Sequence, residues 1–140
     1  SYGVGTEMLT AKPVAAVPGV YKLVEDECGA KIKLSEGKRT LPGKKQVHRQ
    51  LGSDGKYLND IIALDDEAVE GTAILELAVK DGLRVRAKPT LNETRAYCLG
   101  EVAKLPDYLK ATRVEKQYDV RPSQALNELV ERLTKEYGGR

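Results

Sequence analysis

Aromatic residues, histidine and cysteine are all scarce in this sequence. It has no Phe and no Trp, and its 140 residues include one His and two Cys. The usual ligands of a structural zinc site are therefore too few, and no Ser–His–Asp set can be argued from a single His. Cys28 and Cys98 are isolated from each other, with no Cys-x-x-Cys spacing. We expect them to be reduced, buried thiols, with a disulfide between them as the alternative.

Long apolar runs and targeting signals are also missing. No stretch of 18 apolar residues is present, and the first residues show neither the basic nor the apolar region of a secretory signal. These absences predict a cytoplasmic protein with no membrane partner. Hydrophobic residues make up 41% of the chain and charged residues 31%, which is typical of a globular domain. The core must depend on Leu, Val, Ile and Ala, and the length suits one domain.

Charge is unevenly distributed, although the net charge is only +2. Residues 30–56 contain eight Lys or Arg and two acids, whereas residues 57–76 contain six acids and no Lys or Arg. The basic stretch 31–49 could bind nucleic acid or another polyanion, or it could neutralise the acidic stretch across a sheet. Aromatic residues are not interleaved with these bases for stacking, which argues against nucleic acid as a partner.

Alternation of apolar and polar residues predicts a series of short antiparallel strands in the first two thirds of the chain. Three turn signals connect them, namely Cys28-Gly29, Ser53-Asp54-Gly55 and Asp81-Gly82. The predicted strands cover residues 20–26, 30–34, 46–51, 57–64, 72–79 and 83–87.

Helical periodicity begins near residue 90. Thr90 and Glu93 have the spacing of a capping box, and Pro106 is predicted to end this first helix. Pro122 is predicted to open a second helix. The apolar stripe of the first helix would comprise Leu91, Cys98, Val102 and Leu105, and that of the second Leu126, Leu129, Val130, Leu133 and Tyr137, before Gly138-Gly139. Short strands followed by two helices indicate an α+β fold.

Gly3-Val4-Gly5-Thr6 is the most suggestive short motif. Two glycines one residue apart let the backbone turn sharply and present N–H groups to an anion, and the threonine hydroxyl can add a further donor. A Gly-x-Gly sequence is also common in plain turns. On these residues alone, the motif indicates either a phosphate-binding turn or a simple reversal of the chain.

Two further groups could carry chemistry, and each has a structural alternative. His48 could serve as a general base or phosphate acceptor, although alternation places it on the strand face opposite Val47, among basic neighbours. Asp65-Asp66-Glu67 could hold a metal ion, but its place between two predicted strands is typical of an exposed turn.

Several of these segments, read in order, are similar to one protein family. The run Lys38-x-Thr40-x-Pro42-Gly43-x-Lys45-x-x-x-Arg49 is the most detailed match. The others are Tyr2-Gly3-Val4-Gly5-Thr6, Pro18-Gly19-Val20-Tyr21-Lys22-Leu23-Val24, Lys33-Leu34-Ser35, the Leu-x-Glu-x-Arg sequence at 91–95, Leu105-Pro106, and Tyr118-Asp119-Val120 leading to Ser123. Over nearly the whole chain they resemble the C-terminal portion of nicotinate phosphoribosyltransferase. Two positions depart from the family pattern, His48, where an aromatic residue is common, and Tyr2, where Phe is frequent.

The resemblance implies a type II phosphoribosyltransferase of NAD salvage. Such an enzyme converts nicotinate and phosphoribosyl pyrophosphate to nicotinate mononucleotide and pyrophosphate, coupled to ATP hydrolysis, and is typically a homodimer. ATP and Mg²⁺ would bind mainly outside this chain. Gly3, Gly5 and Thr6 would bind the substrate phosphate, while the catalytic histidine lies upstream, so no catalytic residue is expected here. The basic stretch 31–49 would alternatively serve a subunit or domain interface.

The family fold joins an irregular α/β barrel to a domain built from both chain ends. It implies that residues 1–17 are the last barrel strand with its phosphate loop, residues 18–89 the β-rich part of the C-terminal domain, and residues 90–140 the C-terminal helical segment. A barrel needs about 200 residues or more, so this chain would be one piece of the enzyme and inactive alone. Apolar strand faces would then lack the remainder of the enzyme chain as a partner.

Overall fold

The computed structural model describes residues 21–35, 37 and 39–138. Its elements confirm the mixed α+β class that the sequence predicts. The predicted barrel end, residues 1–17, lies outside the described residues. In chain order the elements are β1 (Glu25–Asp26), β2 (Gly29–Ala30), β3 (Lys45–Leu51), β4 (Tyr57–Leu64), β5 (Thr72–Ala73), β6 (Val79–Lys80), β7 (Leu83–Arg84), α1 (Leu91–Ala103), α2 (Asp107–Lys110), β8 (Val120–Pro122) and α3 (Gln124–Tyr137).

A four-stranded sheet in the order β5-β3-β4-β8 forms the centre of the fold. Strands β3 and β4 pair antiparallel from Lys45 opposite Leu64 to Leu51 opposite Tyr57, with an irregularity at Gln50/Leu51. The predicted turn between them is confirmed, since the Gly52 N–H donates to the Lys56 carbonyl at 2.8 Å. Both strands therefore pair over almost their full predicted lengths.

The pairs among the predicted strands are antiparallel, as predicted, but the sheet has one further strand that the sequence did not predict. Strand β8 pairs parallel with β4, and Asp60 lies opposite Val120. A parallel neighbour requires a long connection, which here contains α1 and α2. Three residues of pairing gave no alternation from which this edge strand could be predicted.

Helix α3 supplies most of the core. Its Leu126, Leu129 and Leu133 are buried against the sheet, as their spacing predicts, whereas Tyr137 at the end of the stripe is 46% exposed. The helix begins at Gln124, two residues later than predicted. Pro122 is the last residue of β8, and the Ser123 hydroxyl accepts the Leu126 N–H at 3.1 Å as the N-cap.

The outer strands are shorter than predicted. The predicted strand 20–26 is represented by Glu25–Asp26, and the predicted strand 72–79 by two separate pairs of residues at its ends. Part of the reason lies in Gln46, whose side chain accepts the Leu75 N–H at 2.9 Å and donates to the Leu75 carbonyl at 3.1 Å. The Gln46 side chain thus makes the hydrogen bonds to Leu75 that the backbone of a neighbouring strand would otherwise make, and the ladder between β3 and β5 ends there.

Local turn and cap signals are confirmed. Asp81 and Gly82 have φ values of 51° and 76° and connect β6 to β7, which is the geometry that an Asp-Gly hairpin turn requires. Thr90 caps α1 and forms a complete capping box with Glu93. Helix α1 ends at Ala103, and Pro106 is the N-cap residue of the short α2.

Helix α1 is well formed but not buried. Every residue from 71 to 100 is exposed, including Leu91 and Cys98 of the stripe that the sequence predicts. Cys28 is exposed as well, and both cysteines are free, so the expectation of buried thiols is wrong. None of the described helices is long and apolar enough to cross a membrane.

Candidate functional site

A groove of about 530 Å³ lies between the central sheet and α1. We call it the Arg49 groove. Strands β3, β4 and β5 form its floor, and α1 with the segment around β7 forms its sides. Its polar lining residues are Arg49, Tyr57, Thr72, Glu76, Arg86, Tyr97, Glu101 and Lys104.

Arg49 is held on the floor of the groove by Asp60, its direct neighbour across β3 and β4. The guanidinium donates twice, from Nε to Oδ1 at 2.8 Å and from Nη2 to Oδ2 at 2.7 Å. These hydrogen bonds lower the pKa of Asp60 below its ordinary value and raise the pKa of Arg49. Only 8% of the Asp60 side chain is exposed, so the pair is shielded from solvent. Both groups therefore stay charged and paired.

Tyr118 adds a third partner to this pair. Its hydroxyl donates to Asp60 Oδ1 at 3.0 Å from the segment that leads into β8. Burial, followed by the hydrogen bond to the Asp60 carboxylate, raises the pKa of Tyr118 to about 12. The hydroxyl is therefore a permanent donor near neutral pH, and it ties the β8 segment to β4.

Tyr57 connects the pair to α1. The Arg49 guanidinium stacks 4.4 Å from the centre of the Tyr57 ring, and the Tyr57 hydroxyl donates to Glu101. Glu101 also binds Lys104 at 3.0 Å, and the Lys104 carbonyl accepts the Tyr57 N–H at 2.9 Å. Burial and the hydrogen bond to Glu101 raise the pKa of Tyr57. The hydrogen bonds that Glu101 accepts from Tyr57 and Lys104 lower the pKa of Glu101.

The charged side chains of the groove are thus paired with one another. Besides the pairs above, Arg86 forms an ion pair with Glu76 on the opposite side. A ligand that approached Arg49 would have to compete with two hydrogen bonds from a shielded carboxylate. The arrangement is suited to holding the sheet, α1 and the β8 segment together, and much less to binding a charged substrate.

The described residues that open the motif from Lys38 to Arg49 hold a tight turn in place. Thr40 Oγ1 accepts the Lys33 N–H at 3.0 Å, and Pro42 is fully buried. Gly43 has a φ of 77° and donates its N–H to the Val24 carbonyl at 2.8 Å. A side chain at Gly43 would meet Leu64 Cδ2 at 3.2 Å, which explains the glycine.

Lys45 completes this turn. Its ammonium group donates to the carbonyl oxygens of Leu41 at 2.9 Å, Pro42 at 3.4 Å and Gly43. Partial burial lowers the pKa of Lys45. The lysine is therefore directed back onto its own chain, where it stabilises the tight turn before β3.

Two ion pairs join the basic and acidic stretches, in line with one of the two interpretations of the charge pattern. Lys44 pairs with Asp65 at 3.3 Å and Arg49 with Asp60, both between the basic and acidic stretches. Lys31 and Lys56 pair with acids elsewhere, Asp26 and Asp107 respectively. Lys33 has no ion pair with any described residue. This pairing removes much of the support for a polyanion-binding surface on residues 31–49.

Comparison with known proteins identifies the family. No protein-family model matches the chain. It is 31% identical to human nicotinate phosphoribosyltransferase, over 94% of this chain and 29% of that protein. It is 32% identical to a nicotinate phosphoribosyltransferase of Mycobacterium tuberculosis, over 79% of this chain and 24% of that protein. The crystal structure of the human enzyme superimposes with a TM-score of 0.68 at 29% identity, over 81% of this chain and 26% of that one.

The chain corresponds to a C-terminal portion of nicotinate phosphoribosyltransferase. It spans about a quarter of the length of the curated relatives that it matches. Within this portion of a nicotinate phosphoribosyltransferase, the described residues form a structural frame around the Arg49 groove. The predicted phosphate-binding residues Gly3, Gly5 and Thr6 lie outside the described residues, so their role stays a prediction.

The structure also gives the positions of the acidic sequence Asp65-Asp66-Glu67 and of His48, the two further groups that could carry chemistry. Asp65 and Asp66 form an exposed turn after β4, and Glu67 accepts the Ser123 hydroxyl at 2.6 Å next to α3. His48 lies in the middle of β3, between Ile61 and Ala73, and its Nδ1 is buried without a partner among the described residues. Among the described residues, no acid or hydroxyl forms a hydrogen bond that would orient this ring, as a general base would require.

Asp60, Tyr118 and Glu101 were not predicted as site residues from the sequence. Asp60 did carry a signal, because a charged residue followed by Ile-Ile-Ala-Leu in a predicted strand must either face solvent or have a partner. Tyr118 was visible only as part of a family motif, and Glu101 carried no signal, since their contacts join segments 58 and 44 residues apart.

Proposed function

We propose that the protein containing this chain is a nicotinate phosphoribosyltransferase, which forms nicotinate mononucleotide and pyrophosphate from nicotinate and phosphoribosyl pyrophosphate, coupled to ATP hydrolysis. The observation that carries the proposal is the alignment with the human enzyme over 94% of this chain. The Thr40–Lys45 turn, in which Pro42 and Gly43 are buried, and the Arg49–Asp60 pair add support, because they give a structural reason for the family's most detailed motif.

The part of this chain that we propose to touch substrate is the turn at Gly3, Gly5 and Thr6. Backbone N–H groups without neighbouring side chains can approach a phosphate closely, and a threonine hydroxyl adds a donor. The bound group would be the 5′-phosphate shared by phosphoribosyl pyrophosphate and the mononucleotide product. The internal pairing of charges in the Arg49 groove supports assigning phosphate binding to this turn in preference to that groove.

We assign ATP and Mg²⁺ mainly to parts of the enzyme beyond this chain. Among the described residues, no group of three His, Cys, Asp or Glu side chains could hold a metal ion. No step of the reaction is attributed to the described residues. A homodimer in the cytoplasm is part of the same proposal.

The activity is tested on the complete gene product. Purified protein is incubated with nicotinate, phosphoribosyl pyrophosphate, ATP and Mg²⁺, and nicotinate mononucleotide is quantified by chromatography. We expect product that depends on both nicotinate and phosphoribosyl pyrophosphate. A folded preparation that consumes neither substrate would overturn the proposed function.

The phosphate-binding turn is tested in the same complete protein by a graded series at Gly5. Gly5→Ala and then Gly5→Val should raise the KM for phosphoribosyl pyrophosphate progressively, because a larger side chain blocks the approach of the phosphate. The KM for nicotinate should change far less, and thermal unfolding shows whether each variant is folded. Folded variants with unchanged kinetics would exclude the turn from phosphate binding.

A further inference from the structure

Three successive backbone carbonyls meet at one ammonium group just before β3. The oxygens of Leu41, Pro42 and Gly43 accept hydrogen bonds from Lys45 Nζ, the first two at 2.9 and 3.4 Å. We call the position that these three oxygens surround the carbonyl site. An ammonium group has three N–H donors and no acceptor, so the number of oxygens at the site equals the number of its donors.

The carbonyl site lies in a part of the turn with little access to water. Pro42 is fully buried, and Gly43 is buried as well. The backbone hydrogen bonds of the turn use other groups, since the Gly43 N–H donates to the Val24 carbonyl at 2.8 Å and the Lys44 carbonyl accepts the Asp65 N–H at 3.1 Å. A buried carbonyl without a donor destabilises a fold. The ammonium is therefore the donor on which the oxygens of the site depend.

The shape of the turn explains why the site favours a positive charge. Gly43 has a φ of 77°, which reverses the chain within a few residues. Three carbonyl dipoles that direct their negative ends to one point repel one another, and a cation at that point offsets the repulsion. Rings of backbone carbonyls bind K⁺ in this way by replacing its hydration shell. The arrangement is that of a cation site with a side chain in place of the free ion.

The preceding lysine shows that this arrangement is specific to one position. Lys44 has a side chain that is 74% exposed, and its Nζ lies 3.3 Å from Asp65 in a surface ion pair. Lys45, one residue later, is partly buried and directs its Nζ to carbonyl oxygens. The family motif likewise specifies a lysine at 45 and leaves 44 open. The basic character of the stretch therefore does not account for Lys45.

We propose that the carbonyl site is a binding site for a small primary ammonium ion, which this protein supplies covalently as the side chain of Lys45. The inference goes beyond the proposed activity and does not depend on it. Substituting Lys45 by Ala removes Cγ, Cδ, Cε and Nζ, which are together the heavy atoms of n-propylammonium. A free n-propylammonium ion then fits the space that the side chain leaves and restores all three hydrogen bonds.

The experiment measures rescue of the complete protein with Lys45→Ala. Its Tm is followed in increasing n-propylammonium chloride and, as a reference of equal ionic strength, in tetramethylammonium chloride, whose cation has the same charge but no N–H donor. We expect Lys45→Ala to lower the Tm by several degrees. n-Propylammonium should raise it again above the reference, by an amount that grows with concentration as for a ligand that binds only the folded state.

Three controls isolate the carbonyl site from general effects of the salts. The native protein should show no difference between the two salts, because its site is filled. Lys45→Met should lower the Tm without rescue, because its apolar side chain occupies the path of the ion. Lys44→Ala should leave the Tm nearly unchanged and show no difference between the salts, since that lysine forms only a surface ion pair.

Rescue of Lys45→Ala by n-propylammonium alone supports the proposal. A native Tm of Lys45→Ala overturns it, and so does a lowered Tm that both salts change equally or a rescue that Lys45→Met shares. If Lys45→Ala does not fold in buffer, the two salts are added during refolding from urea. Folded protein recovered only with n-propylammonium supports the proposal, and equal recovery in both salts, or none, overturns it. These measurements use no catalytic activity, so their failure leaves the proposed function untouched.

Discussion

Arg49 and Asp60 face each other across β3 and β4 and form two hydrogen bonds of 2.8 and 2.7 Å. Tyr118 binds the same carboxylate, and the ring of Tyr57 lies under the guanidinium. One ion pair thereby connects the central strands with the segment before β8 and, through Glu101, with α1. The family motif that ends in Arg49 thus ends at the residue on which these contacts converge.

Removing the negative charge of Asp60 is expected to destabilise the fold. Asp60→Asn leaves Arg49 without its charged partner, and breaking a shielded pair on one side costs several kcal/mol. Because a quarter of the Arg49 side chain is exposed, we expect a smaller loss, about 2 kcal/mol. The measurement is thermal unfolding of the complete protein by calorimetry.

The matched control is Asp66→Asn, the same substitution at an exposed turn residue just beyond the same strand. It should leave the Tm nearly unchanged. Equal effects of the two substitutions would contradict a stabilising role of the Arg49–Asp60 pair.

The contribution of Asp60 should depend on pH in a definite direction. Its folded pKa is lowered by the Arg49 hydrogen bonds from an ordinary value of 3.8. The stabilisation is therefore fully present above that value and is lost as the pH falls through the lowered folded pKa. We expect the difference in Tm between the native protein and Asp60→Asn to be constant from neutral pH to about pH 5 and to shrink at lower pH. A difference that stays constant in strong acid would show that folding does not lower the pKa of Asp60.

Gly43 is required for two separate reasons, which a pair of variants can distinguish. Gly43→Ala imposes a side chain at a φ of 77° and brings its Cβ to 3.2 Å from Leu64. Gly55→Ala imposes nearly the same φ, 74°, in a turn with nothing within 4 Å of the new Cβ. Both should lose about 1 kcal/mol from backbone strain, and Gly43→Ala should lose more because the core must also shift. The Tm values test the order, and an equal loss would leave the φ alone as the cause.

Ser123 is expected to stabilise α3 as its N-cap. Ser123→Ala removes the acceptor of the Leu126 N–H at 3.1 Å and the donor to Glu67 at 2.6 Å. The expected loss is about 1–2 kcal/mol of stability, measured as a lowered Tm. Ser53→Ala, in the exposed turn between β3 and β4, serves as the control and should have little effect. If Ser123→Ala were as harmless as this control, α3 would not depend on its cap.

The 140-residue chain alone should have no phosphoribosyltransferase activity. It supplies at most one phosphate-binding turn, and catalysis also requires the second reactant held in place and further charge stabilisation. The assay described for the complete protein is repeated with the isolated chain. Nicotinate mononucleotide formed above background, in a preparation free of host enzyme, would show that the catalytic groups lie within these residues.

Most local features of the fold could be predicted because their causes are local. The bounds of β4, the Asp81-Gly82 hairpin turn and the capping box of Thr90 and Glu93 follow from residues within a few positions of one another. Extended pairing could not be predicted in the same way. The segment 72–79 has the composition of a strand, yet the Gln46 side chain ends its pairing at Leu75.

The candidate site, too, could be predicted from the sequence only in part. The motif from Lys38 to Arg49 was visible in the sequence as a family resemblance, but the residue types alone left open either polyanion binding or neutralisation of the acidic stretch. The structure shows Lys45 bound to backbone carbonyls and Arg49 bound to Asp60, which are interactions that stabilise the fold. Residue type gives the chemistry of a side chain, whereas its partner depends on which distant segment the fold brings beside it.

By itself the sequence determined the α+β class, the principal turns and caps, and the resemblance to nicotinate phosphoribosyltransferase, because periodicity and motif spacing are written along the chain. Only the tertiary structure decided that β8 pairs parallel with β4 and that α1 contributes no buried residue, although the sequence predicts an apolar stripe on it. The physical reason is that periodicity fixes which residues of a helix share a face, while packing against residues far away in the sequence decides which face is covered.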